Sequence, residues 1–461
     1  MRMLPNDQQQ WVLNELAAIE KEKIDEYKIG VTLQIAKEFD EFLAAKFPTV
    51  KRYGLEGSES ILLWFDTLLN ELEKDTHAVI GMTHRGRNNL LICSLGLKPE
   101  LMFGKMSGVP EFPLDAEHDR IIGDVLSHMQ ISTKLENGVD VSLLPNPSHL
   151  DAINPGAMGK TRSKQDRSKN SICIQCHGDG SLIGQGMFFT QLNIFETIFF
   201  YAKNIFYAKF LGHNHELLNM QSIPGYDVGG SLHFCCDNNV AFTASGNLSR
   251  SAARAGDCAI PYGSPVISVS GSKPESVVNA AKLALRFRNK FGKDVMTELV
   301  AWRKYGHNEL DDPTLTNPIL YKHVHSSTPT PDTWCERLSE EQRAALKSTI
   351  ENSKELWNKA YDNCKTNVPE KLGRNFGPWS GLNRASSNDV KTWDSGYDRD
   401  ALRWLLAKSV DVPEDFALHS SLERHKKQRL EAAESGKKID WGAAEAMAFG
   451  SLLQVFNNLK A

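Results

Sequence analysis

Between about residues 50 and 325, short apolar runs alternate with longer stretches of helical period. The runs Ala78-Val-Ile-Gly-Met82, Ser171 to Cys176, Ser231 to Cys236, Val266-Ile-Ser-Val269 and Val295 to Trp302 have strand length, and Pro274 to Arg288 between the last two has helical spacing. This alternation predicts an α/β domain with a mostly parallel sheet and helices on both faces. Upstream, Trp11, Leu13, Leu16 and Ala17, then Ile35, Phe39, Phe42 and Leu43, recur at helical spacing, so residues 1–49 are expected to be helices packed on the larger body. Downstream, Ser326-Ser-Thr-Pro-Thr-Pro331 opens a linker followed by helices around 340–362, with a polar connector over 391–436. A further helix is expected from Asp440-Trp-Gly-Ala-Ala-Glu onward, so the expected divisions are 1–49, 50–325, 326–436 and 437–461.

Composition narrows the partners. Lys plus Arg (53) nearly balances Asp plus Glu (57), which argues against a nucleic acid or a membrane surface. The greasiest stretch, 187–210, is interrupted by Glu196, Lys203 and Lys209 and is not expected to span a bilayer. Eight cysteines in 461 residues do not form a disulfide scaffold, and a reducing compartment is the default. The first residues have neither the apolar core of a secretory signal nor, with Asp7, Glu15, Glu20 and Glu22, the character of an organelle transit peptide.

The candidate chemistry sits at strand ends. His177-Gly178-Asp179-Gly180 closes the run Ser171 to Cys176; its glycines let backbone approach phosphate, and Asp179 offers a hard oxygen to Mg²⁺. The run Ser231 to Cys236 delivers Asp237-Asn238-Asn239 in the same way. Two lookalikes fail. Cys173-Ile-Gln-Cys176-His177 matches a haem attachment pattern, but a strand's period of two turns the cysteines to opposite faces. Gly178 to Gly184 has one residue too many for a dinucleotide fingerprint.

A Gly-Asp-Gly turn followed by a strand ending in Asn-Asn resembles the thiamine diphosphate enzymes. Lys51-Arg-Tyr-Gly-Leu-Glu-Gly57, Gly81-Met-Thr-His-Arg-Gly-Arg87, Gly123-Asp-Val-Leu-Ser-His128, Asn146-Pro-Ser-His-Leu150, Gly184-Gln-Gly186 and Tyr305-Gly-His-Asn-Glu-Leu-Asp-Asp-Pro313 stand in the order of the decarboxylating first component of the 2-oxoglutarate dehydrogenase family. The resemblance covers roughly residues 40–461, and Tyr53 and Leu126-Ser127 look like the 2-oxoadipate branch. It implies oxidative decarboxylation of 2-oxoadipate or 2-oxoglutarate with thiamine diphosphate and Mg²⁺, a lipoyl-bearing dihydrolipoyl acyltransferase core as partner, a homodimer, and the mitochondrial matrix. It also implies the site. Asp179, Asn238 and the Val240 carbonyl would ligate the metal; Arg85, Ser148, Leu150 and Gly180 would meet the cofactor. His84 and His128 would be catalytic, Tyr53, Ser127 and His149 would meet substrate, and His307 is expected to be structural. The chain departs from the family at Asp237-Asn238-Asn239-Val240-Ala241, where Asn-Asn-Gln, a hydrophobic residue and Gly are usual.

Two features set this sequence apart. Asp179 and Asn238 lie farther apart than the family's spacing, and removing 194–219, rich in Phe, Tyr, Ile, Asn and Lys, restores a family-like connection. That segment is expected to be an insertion: a retained intron or gene-model error, since its composition is that of a translated AT-rich intron, or else a real aromatic hairpin of helices. The chain also stops soon after the helix that, in the family, opens the pyrimidine-binding domain. It is therefore expected to hold the diphosphate half of an active site and to be inactive alone, or to act as a non-catalytic binding module.

Overall fold

The computed structural model describes residues 4–109, 125–146, 152–167, 169–182, 217–218, 220–223, 226–241, 243–246, 250, 252–365, 396–415 and 417–458. The chain divides into two compact units, Met1–Leu372 and Gly373–Ala461.

The first unit is built on a seven-stranded sheet of order β2-β3-β1-β4-β5-β9-β8. Its strands are β1 (His77–Met82), β2 (Ile131–Lys134), β3 (Asp140–Leu143), β4 (Ser171–Gly178), β5 (Ser231–Asp237), β8 (Val266–Ser270) and β9 (Val295–Val300). All neighbours pair in parallel except the edge strand β2. A small antiparallel pair, β6 (Val240–Ala241) with β7 (Ala244–Ser245), follows β5. The expected α/β class and the predicted central strands are found.

Both faces are covered, as a parallel sheet requires. Ile172, Ile174 and Cys176 of β4, with Leu232, Phe234 and Cys236 of β5, belong to the main core with Trp64, Phe65 and Val277 of helices α3 (Ser60–Glu71) and Pro274–Phe291. Trp64 lies 4.7 Å from Phe234, centroid to centroid. Cys173 joins Val79, Ala157 and Met158 on the opposite face, under helix Ile153–Gln165. The two cysteines of the haem-like pattern thus face opposite ways, as strand periodicity dictates.

Helices α1 (Asn6–Ile19) and α2 (Glu26–Lys46) are present, with the Asp25 carboxylate capping α2 by accepting from Lys28 N–H at 3.0 Å. Helices Thr330–Cys335 and Glu340–Asn363 fold back onto α2: Trp334 donates to the Glu26 carbonyl, and Trp357 stacks edge-on against Phe39. In the second unit, helices Arg399–Lys408, Ser420–Ser435 and Trp441–Asn458 gather around Leu406, Ala432, Ala433 and Ala443. The polar connector read over 391–436 therefore contains two helices; their buried positions are so few that charged residues masked the period. Among the described residues no helix is long and apolar enough to cross a membrane. Leu217 and Leu218 of the expected insertion are buried in the core; 194–216 and 219 lie outside the described residues.

Candidate active site

Parallel pairing brings the carboxyl ends of β1, β4, β5 and β9 to one edge of the sheet. β3 and β4 flank β1 on opposite sides, so the chain reverses direction there, and ligands of open α/β sheets bind at such a switch point.

After β1 comes Thr83-His84-Arg85-Gly86-Arg87. Gly86 has φ +72°, and a Cβ there would stand 2.3 Å from Leu55 Cδ2, so only glycine fits. Its N–H donates to the Tyr53 carbonyl at 2.8 Å, tying this loop to residues 52–54. Glu309 clamps the second loop, accepting from Arg52 N–H at 2.8 Å and Gly54 N–H at 2.9 Å, with Tyr53 between them at φ +51°. Arg87 is fully buried and donates to the carbonyls of Met82, Met129 and Leu144, joining β1 to β3.

This scaffold gathers aromatic and basic groups. Tyr53 and His84 lie 4.1 Å apart, and His307 stands 5.2 Å from His84 and 5.8 Å from Tyr53, ring centroid to ring centroid. Arg85 donates to the carbonyls of Gly54 (3.2 Å) and His307 (3.0 Å). Burial, then the charges of Arg85 and Arg303 and the rings of His307 and His128, hold His84 well below the usual imidazole range. The neutral ring can donate from one nitrogen and accept at the other. His128 and Ser127 lie in the turn Leu126–His128, half-buried. Sequence reasoning assigned His307 to structure, yet its ring stands in this cluster.

The other cluster follows β4 and β5. Asp179, Asp237 and Asn238 are buried. The Asn238 side chain accepts from Val240 N–H at 3.3 Å and Asp237 from Asn239 N–H at 3.0 Å; Asn239 has φ +59°. Arg250 bridges the carboxylates, 2.8 Å from Asp237 and 3.5 Å from Asp179. Burial, then the facing Asp237, push the Asp179 carboxyl up to about 7. Cys236 links the clusters, within electrostatic reach of Arg85, Asp179 and Asp237, its thiol pushed up to about 12 by burial. Arg250 was missed in the sequence because only folding brings it to the carboxylates.

The donor set suits a hard divalent cation. Two carboxylates, an amide oxygen and a backbone carbonyl are oxygen donors, and a guanidinium already occupies the position of their counter-ion. No group of three or more His, Cys, Asp or Glu able to hold a metal occurs among the described residues. Gly180 follows Asp179 in the turn Asp179–Leu182. Ser148, His149 and Leu150 lie outside the described residues.

Residues 210–368 match the family described as dehydrogenase E1 component. The chain is similar to 2-oxoadipate dehydrogenase complex component E1 of Danio rerio (37% identical) and Homo sapiens (36%), each over 98% of this chain and 49% of the relative. It is 32% identical to the mitochondrial 2-oxoglutarate dehydrogenase of Dictyostelium discoideum, over 96% of this chain and 42% of the relative. The chain spans about half the length of the curated relatives it matches.

Proposed function

We propose that this chain is the diphosphate-binding half of a thiamine diphosphate-dependent 2-oxo acid dehydrogenase, acting on 2-oxoadipate in preference to 2-oxoglutarate. The observation carrying this reading is the meeting, at one sheet edge, of an oxygen-rich acidic cluster with a basic and aromatic one. In a loaded site Asp179, Asn238 and the Val240 carbonyl hold Mg²⁺, and Arg85, Gly180, Ser148 and Leu150 meet the cofactor. Thiamine diphosphate supplies the nucleophilic carbon and the electron sink for loss of CO₂. The protein positions the reacting groups and handles protons.

His84, kept neutral by its surroundings, donates one hydrogen bond to the 2-oxo acid and accepts a proton on its other nitrogen. His128 serves the same end from the turn Leu126–His128. Tyr53 and Ser127 bound the substrate's distal end and set its length, and His149 meets the substrate. The acyl group passes to a lipoyl group on a dihydrolipoyl acyltransferase core, the working enzyme is a homodimer, and its place is the mitochondrial matrix. The chain spans about half the length of the curated relatives it matches, so activity is expected only when the other half is supplied.

The test is reassembly. Co-expressed with the second half of the Danio rerio relative, the chain should release CO₂ from carboxyl-labelled 2-oxoadipate with Mg²⁺ and thiamine diphosphate. Neither half should do so alone, and His84→Ala should abolish release. Release that does not depend on this chain, or none from a soluble assembled pair, overturns the proposal.

A further inference from the structure

The amino-terminal edge of the sheet, away from the site above, carries a second row of titratable groups. β1 and β3 pair with His77 opposite Asp140, which sets the two side chains side by side, His77 Nε2 3.6 Å from Asp140 Oδ2. From the last turn of helix Ile153–Gln165, Lys164 places its Nζ 3.1 Å from His77 Nδ1. The His77 N–H donates to the Asn170 carbonyl at 2.8 Å, which fixes the backbone under the ring. Asp140 Oδ2 also meets Lys134 at 3.9 Å. The His77 and Asp140 side chains are 19% and 34% exposed and Lys164 is half-buried, so a small reagent in solution can reach the row.

An ammonium only donates, so His77 Nδ1 accepts from Lys164 and the ring carries its own proton on Nε2, facing the Asp140 carboxylate. Burial is the largest influence on Lys164 and lowers its ammonium from the usual lysine range; Asp140 opposes it, while Lys169 and Arg167 add to it. Burial, then the charge of Lys164, lowers His77 as well, with Lys169 and Lys134 adding and Asp140 opposing. Desolvation and neighbouring cations are what turn a lysine into a nucleophile, and an adjacent base completes the pair.

We propose that Lys164 is an acylation site whose reagent is an acyl thioester, with His77 as its general base and Asp140 as the residue that orients the imidazole. The ammonium first loses one proton to solvent. The amine nitrogen then adds to the thioester carbonyl, and His77 Nδ1 takes a second proton from that nitrogen. The C–S bond breaks and the imidazolium returns its proton to the departing thiolate, which leaves an amide on Lys164 and a free thiol. Asp140 steadies the imidazolium while it exists. Neither the metal nor the dehydrogenase reading enters this chemistry.

The test treats the full chain with the S-acetyl thioester of N-acetylcysteamine and follows acetylation of each lysine by peptide mass spectrometry. Lys359 is the internal reference, its side chain 66% exposed and its Nζ 2.7 Å from Glu355. Exposure alone would favour Lys359, yet Lys164 should react about tenfold faster. In His77→Gln the amide can accept from Lys164 but cannot carry a proton onward, so the Lys164 rate should fall about tenfold with Lys359 unchanged. In His77→Ala, added imidazole should restore the Lys164 rate relative to Lys359. The proposal is overturned if Lys164 in wild type reacts no faster than Lys359, or if a folded His77→Gln leaves its rate unchanged. It is overturned equally if imidazole speeds both lysines alike in a folded His77→Ala. The wild-type comparison needs no variant, so misfolding of either substitution leaves the proposal open to refutation.

Discussion

Removing Arg250 tests the charge balance of the acidic cluster. Its guanidinium is 6% exposed and the Asp179 and Asp237 side chains are 4% and 2%, so solvent screens this triad little. Arg250→Met leaves two carboxylates facing each other in a desolvated site, and removing one partner of a buried ion pair costs about 3–5 kcal/mol. Protonation limits that cost. Asp179 already titrates at about 7 with the arginine present, and loss of the positive charge raises it further. A carboxyl raised in the folded state contributes stability that is present below its unfolded value and is lost as pH rises through the folded one. The variant should therefore be about 3 kcal/mol less stable than wild type near pH 8, and closer to it near pH 6. Urea unfolding at the two pH values measures both differences. Asp237→Asn in the variant background should recover most of the loss, and Mg²⁺ should stabilise the variant more than wild type, because a cation can take the vacated place. A loss under about 1 kcal/mol at pH 8, or one that does not change with pH, refutes the assignment of Arg250 as counter-ion.

Other outcomes follow from single residues. Glu59 is fully buried, accepts from Gly57 N–H at 3.0 Å, and is pushed up to about 7 by burial. Wild type should lose up to about 3 kcal/mol relative to Glu59→Gln as pH rises from about 4.5 through 7, and a pH-independent difference in urea midpoints would count against this. Gly86→Ala meets both a left-handed φ and the Leu55 side chain, and should cost more than about 2 kcal/mol of unfolding free energy; a neutral result would mean that the His84–Arg87 turn is not held as described. Trp64→Ala opens the core beside Phe65 and Phe234 and should cost about 3–5 kcal/mol by the same assay, whereas a loss below about 1 would place Trp64 outside the main core.

The sheet was legible because β4 and β5 are buried on both faces and so read as largely apolar runs between turn residues. The edge strand β2, Ile131–Lys134, gave no such run, since only alternate side chains meet the core. The approach of Asp179 to Asp237 followed from strand ends in a parallel sheet. The roles of Arg250, Glu309 and His307 did not, because each reaches its partners from a loop distant in sequence. Nor could a local pattern reveal the contacts of His233 with His177 and Asp294, which join β4, β5 and the residue before β9.

The central claim is that Asp179 and Asn238 hold a divalent cation for a diphosphate. The direct measurement is Mn²⁺ uptake by the purified chain, followed by electron paramagnetic resonance with and without thiamine diphosphate. Saturable uptake that tightens when thiamine diphosphate is added, and that is lost in both Asp179→Ala and Asn238→Ala, is the predicted result. No uptake by the folded chain, or uptake indifferent to those two substitutions, would contradict it.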